Sequence, residues 1–448
     1  GTWTGAAPRE GGAAVSDRYV VAGLARARTE WFRRVGRWAT EASIPVEFVR
    51  CVSVAELRAR LGSGRPFSAI LVGSDVPGAD RDLLALAREA GAAPLIVADD
   101  TPRDWLSLGA AGVLPLAFER EGFLDALAAV AAPVRDIGLR PNALSTGDIV
   151  GPRGRLVAVT GPGGTGVSTA AIALAQGLAA GDHGSVLLAD LRRVAEQAML
   201  HDSRVVVPGV QELVEAHRGA DLTPGAVVEQ TFAIPARGYR LLLGLRRPRQ
   251  WTALRPKALE HALTGLQRAF DITVADVDPE VEGEAETGSA DVEERHLASR
   301  LTLGRADAVV VTGDPTVKGL YSLARLLGDL LAFGVPPQRF VTVFNRAPRS
   351  RRQRNELCKA LAGLMDGQLG GRQLPSPIYL PDRRVEAAIR DGVALPAPLP
   401  ATLADTVALL IATPRSGEAM ARGPVPVAPG SLGSLGISMA DLDEGDVA

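Results

Sequence analysis

Residues 155–180 read RLVAVTGPGGTGVSTAAIALAQGLAA. An apolar run, RLVAVT (155–160), enters the glycine-rich turn GPGGTGVST (161–169), and an alanine-rich helical stretch follows. That order makes a phosphate loop: glycines let backbone N–H groups converge on one anion, and the helix N-terminus adds its partial positive charge. The phosphate-facing candidates are Gly163, Gly164, Thr165, Gly166, Val167, Ser168 and Thr169, with the Ser168 hydroxyl placed to hold magnesium. The plain alternative is a glycine turn that only lets the helix pack on its strand.

The same alternation of apolar runs and amphipathic segments extends both ways. Downstream come SVLLAD (185–190), YRLLLGL (239–245), DITVADV (271–277), DAVVVTG (307–313) and RFVTVFN (339–345), and a last helical segment ends near 412. Upstream lie RYVVAGL (18–24), VEFVRCV (46–52), SAILVGS (68–74), PLIVADD (94–100) and GVLPLAF (112–118). Strands alternating with helices give α/β units with doubly wound parallel sheets. The expected division is a front unit over 17–133, a linker rich in Pro, Gly, Asn and Ser over 134–152, and a phosphate-loop unit over 153–412. Residues 1–16 and the acidic tail 413–448 are expected to be disordered.

Composition agrees with two sizeable cores: 448 residues, 46% hydrophobic and 22% charged. With 49 basic and 51 acidic residues the net charge is −2, so no global field drives the chain onto nucleic acid or anionic lipid. The only lysines are Lys257, Lys318 and Lys359. Cys51 and Cys358 fall in different units and fit no disulfide or metal framework. No run reaches the ~18 apolar residues of a spanning helix. The first residues lack the apolar core of a signal peptide. A cytoplasmic protein is expected.

The loop resembles the deviant Walker A sequence of the MinD/ParA superfamily, KGGxGKS/T. Pro162 stands where the family has the signature lysine that reaches a partner's nucleotide across a dimer. Val167 stands where it has the lysine that pairs with the β- and γ-phosphates. A lysine ~4 Å from a phosphate charge is worth roughly 4 kcal/mol at a surface-like dielectric. Its loss could weaken triphosphate binding by up to ~10³-fold. With no lysine near in sequence, a replacement cation must be an arginine, and Arg192 and Arg193 are the nearest candidates.

The resemblance continues in VLLADLRR (186–193), where Asp190 keeps the first carboxylate of the family's DxD. Arg192 takes the place of the second, which positions the attacking water. FDITVADVDP (270–279) resembles the Walker B strand, which implies that Asp276 reaches magnesium through water. Asn345 in VFNR matches the residue that reads adenine, and PIYLPDRRVEAAIRDGVAL (377–395) the region beside it. Taken singly, acids at strand ends also serve as loop caps, and asparagine is common in turns.

The front unit is similar to a receiver, but its functional positions are lost. The first strand ends Ala22-Gly23-Leu24 without an acid, Val72 or Gly73 replaces the phosphoacceptor, and Leu116 replaces the lysine. Asp75 is the one nearby carboxylate, so a docking or dimerisation module is expected. A receiver-like unit before such an ATPase, with PGVQELV (208–214) and LLLGLRRPRQW (241–251), resembles the CpaE/TadZ branch and an actinobacterial septum-site-determining group. That resemblance implies a homodimeric positioning protein recruited to the pole or septum. Its partners would belong to the division or Tad/Flp pilus secretion machinery. ATP or ADP with Mg²⁺ would bind weakly or not at all, and hydrolysis would be weak or absent. The alternative is an active ATPase with arginines in place of the lysines. A transcriptional response regulator is disfavoured, since no helix-turn-helix segment is present.

Two charged stretches remain. Arg346, Arg349, Arg351, Arg352 and Arg354 crowd into NRAPRSRRQR (345–354), read as a solvated loop and helix start, with an anionic partner such as nucleic acid as the lesser reading. The acidic stretch 276–294 is expected to be a flexible insertion. The acidic C-terminus does not support the basic membrane-binding helix of MinD relatives.

Overall fold

The apolar runs become two sheets in the computed structural model, which describes residues 18–98, 103–134, 153–181, 183–369 and 373–412. The expectations for 1–16, for nearly all of the 134–152 linker and for the 413–448 tail lie outside the described residues. The front sheet holds β1 (Tyr19–Leu24), β2 (Val46–Cys51), β3 (Ala69–Gly73), β4 (Ala93–Ala98) and β5 (Gly112–Pro115). Its order is β2-β1-β3-β4-β5 and every pair is parallel, the order of flavodoxin-like doubly wound sheets. Helices α1 (Glu30–Thr40), α2 (Val54–Gly62), α3 (Arg81–Glu89) and α4 (Arg120–Val130) cover it. Between β4 and β5 the described residues form turns and no helix. The run AILVG is buried throughout because both faces are covered: Ile70 and Val72 enter one core, Ala69 and Leu71 the other.

The rear sheet is larger. In chain order its elements are β6 (Arg155–Thr160), α5 (Val167–Ala180), β7 (Val186–Asp190), α6 (Gln197–Leu200), α7 (Val210–Gly219), α8 (Pro224–Glu229), β8 (Phe232–Ile234) and β9 (Tyr239–Leu242). Then come α9 (Pro256–Ala269), β10 (Ile272–Asp276), α10 (Glu284–Thr287), α11 (Ala290–Arg295), α12 (Leu297–Arg305), β11 (Ala308–Gly313) and α13 (Val317–Phe333). Last are β12 (Phe340–Ala347), α14 (Arg351–Met365), β13 (Ile378–Pro381), α15 (Glu386–Arg390) and α16 (Leu399–Ala412). The strand order is β13-β12-β11-β6-β10-β7-β9-β8, parallel except for β8 against β9. The six runs read from sequence are its parallel core, while the short edge strands β8 and β13 were not expected.

Strand β6 lies mid-sheet, with Leu156 and Ala158 in one core and Val157 and Val159 in the other. Helix α5 is sandwiched between the sheet and α16, so its small residues are buried nearly all round. A Cβ on Gly177 would stand 2.3 Å from the Pro400 carbonyl oxygen. Glycine there lets the two helices touch backbone to backbone. No helix among the described residues is long and apolar enough to cross a membrane.

The acidic stretch after β10 corrects its expectation. It folds as α10 and α11, because its carboxylates find local donors: Glu286 accepts from the Gly283 N–H at 2.8 Å and Glu293 from the Glu284 N–H at 2.9 Å. Arg300 pairs with Glu293 at 3.7 Å. The charges are used as caps.

Helix α3 of the front unit packs on α7 and α9 of the rear one. Arg81 crosses the joint with its side chain only 4% exposed, giving Nε to the His217 carbonyl (3.1 Å) and Nη2 to Asp221 (2.5 Å). Asp80, the N-cap of α3, takes Arg218 at 2.6 Å, and Asp82 accepts the Lys257 N–H at 2.9 Å. Arg103, Asp104, Ser107, Gly219, Ala220 and Asp221 line a cavity of about 400 Å³ beside this joint.

Candidate functional site

The loop takes the left-handed turns that its glycines allow, with φ of +79° at Gly164 and +85° at Gly166. Gly163 and Gly164 are exposed, and Ser168 and Thr169 follow in the first turn of α5. Thr165 is turned inward: its hydroxyl donates to the Pro162 carbonyl (2.7 Å) and lies 2.8 Å from the Thr312 hydroxyl on β11. The side chain braces the loop and leaves only its backbone for an anion. Val167 is 4% exposed and sits in the core beneath α5. An apolar residue at the lysine position has become part of the packing. Pro162 is half-buried at the loop's mouth.

Asn345, expected to read adenine, braces the phosphate loop. Its amide donates to the Thr165 carbonyl at 2.9 Å and its oxygen accepts the Arg346 N–H at 2.9 Å. It packs so closely that a Cβ on Gly166 would stand 2.4 Å from the amide nitrogen. One N–H and one lone pair of the amide are used in this way.

Arg346 departs from the basic patch in which the sequence put it. Its backbone has φ +52°, and its guanidinium reaches the Gly164 carbonyl (3.0 Å) and Asp314 (3.2 Å). It is therefore the cation resting on the phosphate loop. The rest of the patch stays near the surface. Arg352 pairs with Glu356 at 3.0 Å, Arg354 donates to the Pro348 carbonyl and stacks over Tyr379, and Arg349 and Arg351 stand exposed.

At the ends of β7 and β10 the parallel register sets Asp190 beside Asp276. Both are fully buried. Burial pushes the Asp190 carboxyl well up, and the charge of Asp276 adds to it. Burial also raises Asp276, opposed by Arg192, the Ser168 hydroxyl and Gln197. Gln197, which the sequence reading did not single out, ties the two acids: its N–H donates to Asp190 at 2.8 Å and its amide to Asp276 at 2.7 Å. Below it, His201 lies 2.7 Å from the Gln197 carbonyl and 2.7 Å from the Tyr239 hydroxyl.

Arg192, the first of the two candidate replacement cations, turns its guanidinium to the acids at the sheet end. The Arg192 guanidinium lies 3.7 Å from Asp276 and 3.4 Å from Asp278, and the Arg193 N–H donates to Asp278 at 2.7 Å. This placement decides the fit of a magnesium ion, which the resemblance implies at Ser168 and Asp276. Magnesium requires oxygen ligands at ~2.0–2.1 Å in a near-octahedral shell. An ion reached through water from Asp276 Oδ1 would lie within roughly 8 Å of the guanidinium, whose charge opposes it by roughly 4 kcal/mol at an effective dielectric of 20. The other Asp276 oxygen is taken by Gln197. Oδ1 itself has no hydrogen-bond partner and faces that guanidinium, so the carboxylate offered to a metal is already opposed by a fixed positive charge, and the residues present do not fit the metal.

In the front unit Gly73 ends β3 and Leu116 follows β5, and Asp75 pairs loosely with Arg26 at 3.6 Å on the surface. Among the described residues, no group of three or more His, Cys, Asp or Glu side chains could hold a metal ion.

Strand, left-handed glycine loop and helix at the centre of a parallel sheet define a phosphate-loop α/β unit. No family model matches the chain, and no curated protein does. Several solved structures are similar. A ParA family ATPase from Chlorobium tepidum TLS is 16% identical over 57% of this chain and 98% of its own, with a TM-score of 0.45. A McdA–ATP complex from Cyanothece is 17% identical over 59% and 99% (TM-score 0.42). The septum site-determining protein MinD with Mg-ADP from Pyrococcus horikoshii OT3 is 17% identical over 56% and 95% (TM-score 0.41). At such identity and score the likeness adds nothing to the geometry of the site.

Proposed function

We propose that this chain is a positioning protein of the MinD/ParA type, in the CpaE/TadZ branch, that uses a phosphate-loop fold as a dimerising scaffold and not as an engine for hydrolysis. The observation that carries the reading is the state of the acids at the sheet end. Asp190 and Asp276 are bound by Gln197 and Arg192. The one Asp276 oxygen without a hydrogen bond, Oδ1, faces the Arg192 guanidinium at 3.7 Å, and the lysine position is filled by a buried valine. In this reading residues 17–133 form a docking module and 153–412 the scaffold. The protein would be recruited to the pole or septum by division or Tad secretion partners, with nucleic acid disfavoured by the net charge of −2. Turnover of ATP by the purified protein with magnesium should not rise above background. Brisk turnover that Asp276→Ala abolishes would sink the scaffold reading.

Arg346 favours a second reading in which ATP or ADP is still held, weakly, with this arginine doing part of the lysine's work at the loop.

A further inference from the structure

Resting on the scaffold reading, we infer that Arg192 takes the place of the divalent cation and pins the segment 191–197 shut, so that the end of the sheet neither needs nor accepts a metal. A divalent ion between buried carboxylates does two things: it supplies positive charge, and it links chain segments that would otherwise repel. Arg192 does both. Its guanidinium faces Asp276 at 3.7 Å and Asp278 at 3.4 Å, and its own N–H donates to Asp190 at 3.3 Å. One residue thus touches the carboxylates at the ends of both strands. A guanidinium stays charged at any physiological pH and offers five donors in a planar fork, so it suits a permanent cross-link.

The neighbouring contacts close the segment further. The Leu191 N–H donates to the Asp276 carbonyl at 2.9 Å, and the Arg193 N–H to Asp278 at 2.7 Å. Gln197 bonds Asp190, Asp276 and the Ser168 carbonyl. A metal arrives with its nucleotide and leaves with it, whereas Arg192 is covalently part of the chain. The segment 191–197 is thus held by contacts that the chain itself supplies.

Hydrogen exchange over 191–200 in the full chain tests this, with and without ATP, in EDTA and in magnesium. For the wild type, magnesium should change neither the exchange of that segment nor the thermal midpoint. Arg192→Asp should raise the exchange at least about tenfold in EDTA, and magnesium or manganese should reverse the rise. Arg192→Lys, which keeps the charge, should stay near wild type and carries the test if Arg192→Asp fails to fold. Tenfold protection of the wild type by magnesium with ATP would overturn the inference, as would an Arg192→Asp variant whose exchange stays at the wild-type level. Such protection without turnover would leave the scaffold reading standing, whereas brisk turnover would remove that reading as well.

Discussion

Two arginines with low exposure meet carboxylates in this molecule, and they are held differently. Arg81, at the joint between the units, is in full contact: a carboxylate at 2.5 Å, a backbone carbonyl at 3.1 Å and the His261 ring at 2.9 Å. Arg192, at the end of the rear sheet, stands off its carboxylates by 3.4–3.7 Å, and its buried Nε has no hydrogen-bond partner. Arg81 is a bolt, bonded closely at several points although burial still lowers its pKa against the pull of Asp221. Arg192 is a counter-charge spread over several acids. The first fixes one unit on the other. The second spreads one positive charge over the acids at the sheet end.

Breaking the bolt should give the largest effect. Arg81→Ala leaves Asp221 with His261 alone and takes the side-chain donor from the His217 carbonyl, and a buried polar group left without its partner costs about 1–3 kcal/mol. Denaturant unfolding should report that loss and a less cooperative transition as the front unit comes free. A change within about 0.5 kcal/mol would mean that the joint is not fixed through this residue and that the two arginines are alike after all.

The contrast also marks how far the chain could be read before its structure. The loop and its strand were legible because glycine spacing, apolar run and helical stretch all point one way over 155–180. Asp190 and Asp276 were legible too, since each ends a buried strand and a parallel sheet brings such ends together. The partners of Arg192 were not, because they depend on the path of the chain after β7. Gln197 carries no pattern at all, and its role comes from one turn of helix placed over the acids. Arg346 looked like one of five equivalent arginines, and what separates it, a positive φ, leaves no trace in composition. The stretch 276–294 was misjudged because acidic composition does not reveal capping. The strands β8 and β13, three and four residues long, are too short for a period to register.

A smaller effect sharpens the account of the sheet end. Burial holds His201 down to about 4, with the nearby charge of Arg237 acting the same way. The neutral ring donates to Gln197 and accepts from Tyr239; protonation would reverse the second bond and place a charge in a buried setting. In the unfolded chain the ring titrates near 6.5. Between about pH 6.5 and 4 the unfolded chain therefore binds a proton that the folded one refuses, and stability falls as pH falls through that window. The contribution is complete above 6.5. Asp190 works in the opposite sense, since its raised carboxyl favours the folded state at lower pH. Subtracting the His201→Gln stability curve from the wild type isolates the histidine, and the difference should shrink by ~1–2 kcal/mol as the pH drops. A flat difference would place His201 outside the network under Gln197.

The smallest change in stability belongs to the arginine on the loop. Arg346 is 48% exposed and its pairing with Asp314 is at the surface, so Arg346→Ala should move stability by less than about 0.5 kcal/mol. Its backbone, however, holds a left-handed φ of +52° that glycine adopts without strain. Arg346→Gly should then be the more stable of the two variants, by ~1 kcal/mol in chemical unfolding. Both variants lose the guanidinium over Gly164, and both should weaken any ATP or ADP affinity by about tenfold in calorimetry. A glycine variant that folds better and binds worse would mean that the strain is carried for the sake of the cation. Equal stability of the two variants, with affinity unchanged, would reduce Arg346 to a surface residue and leave the loop without a cationic side chain of its own.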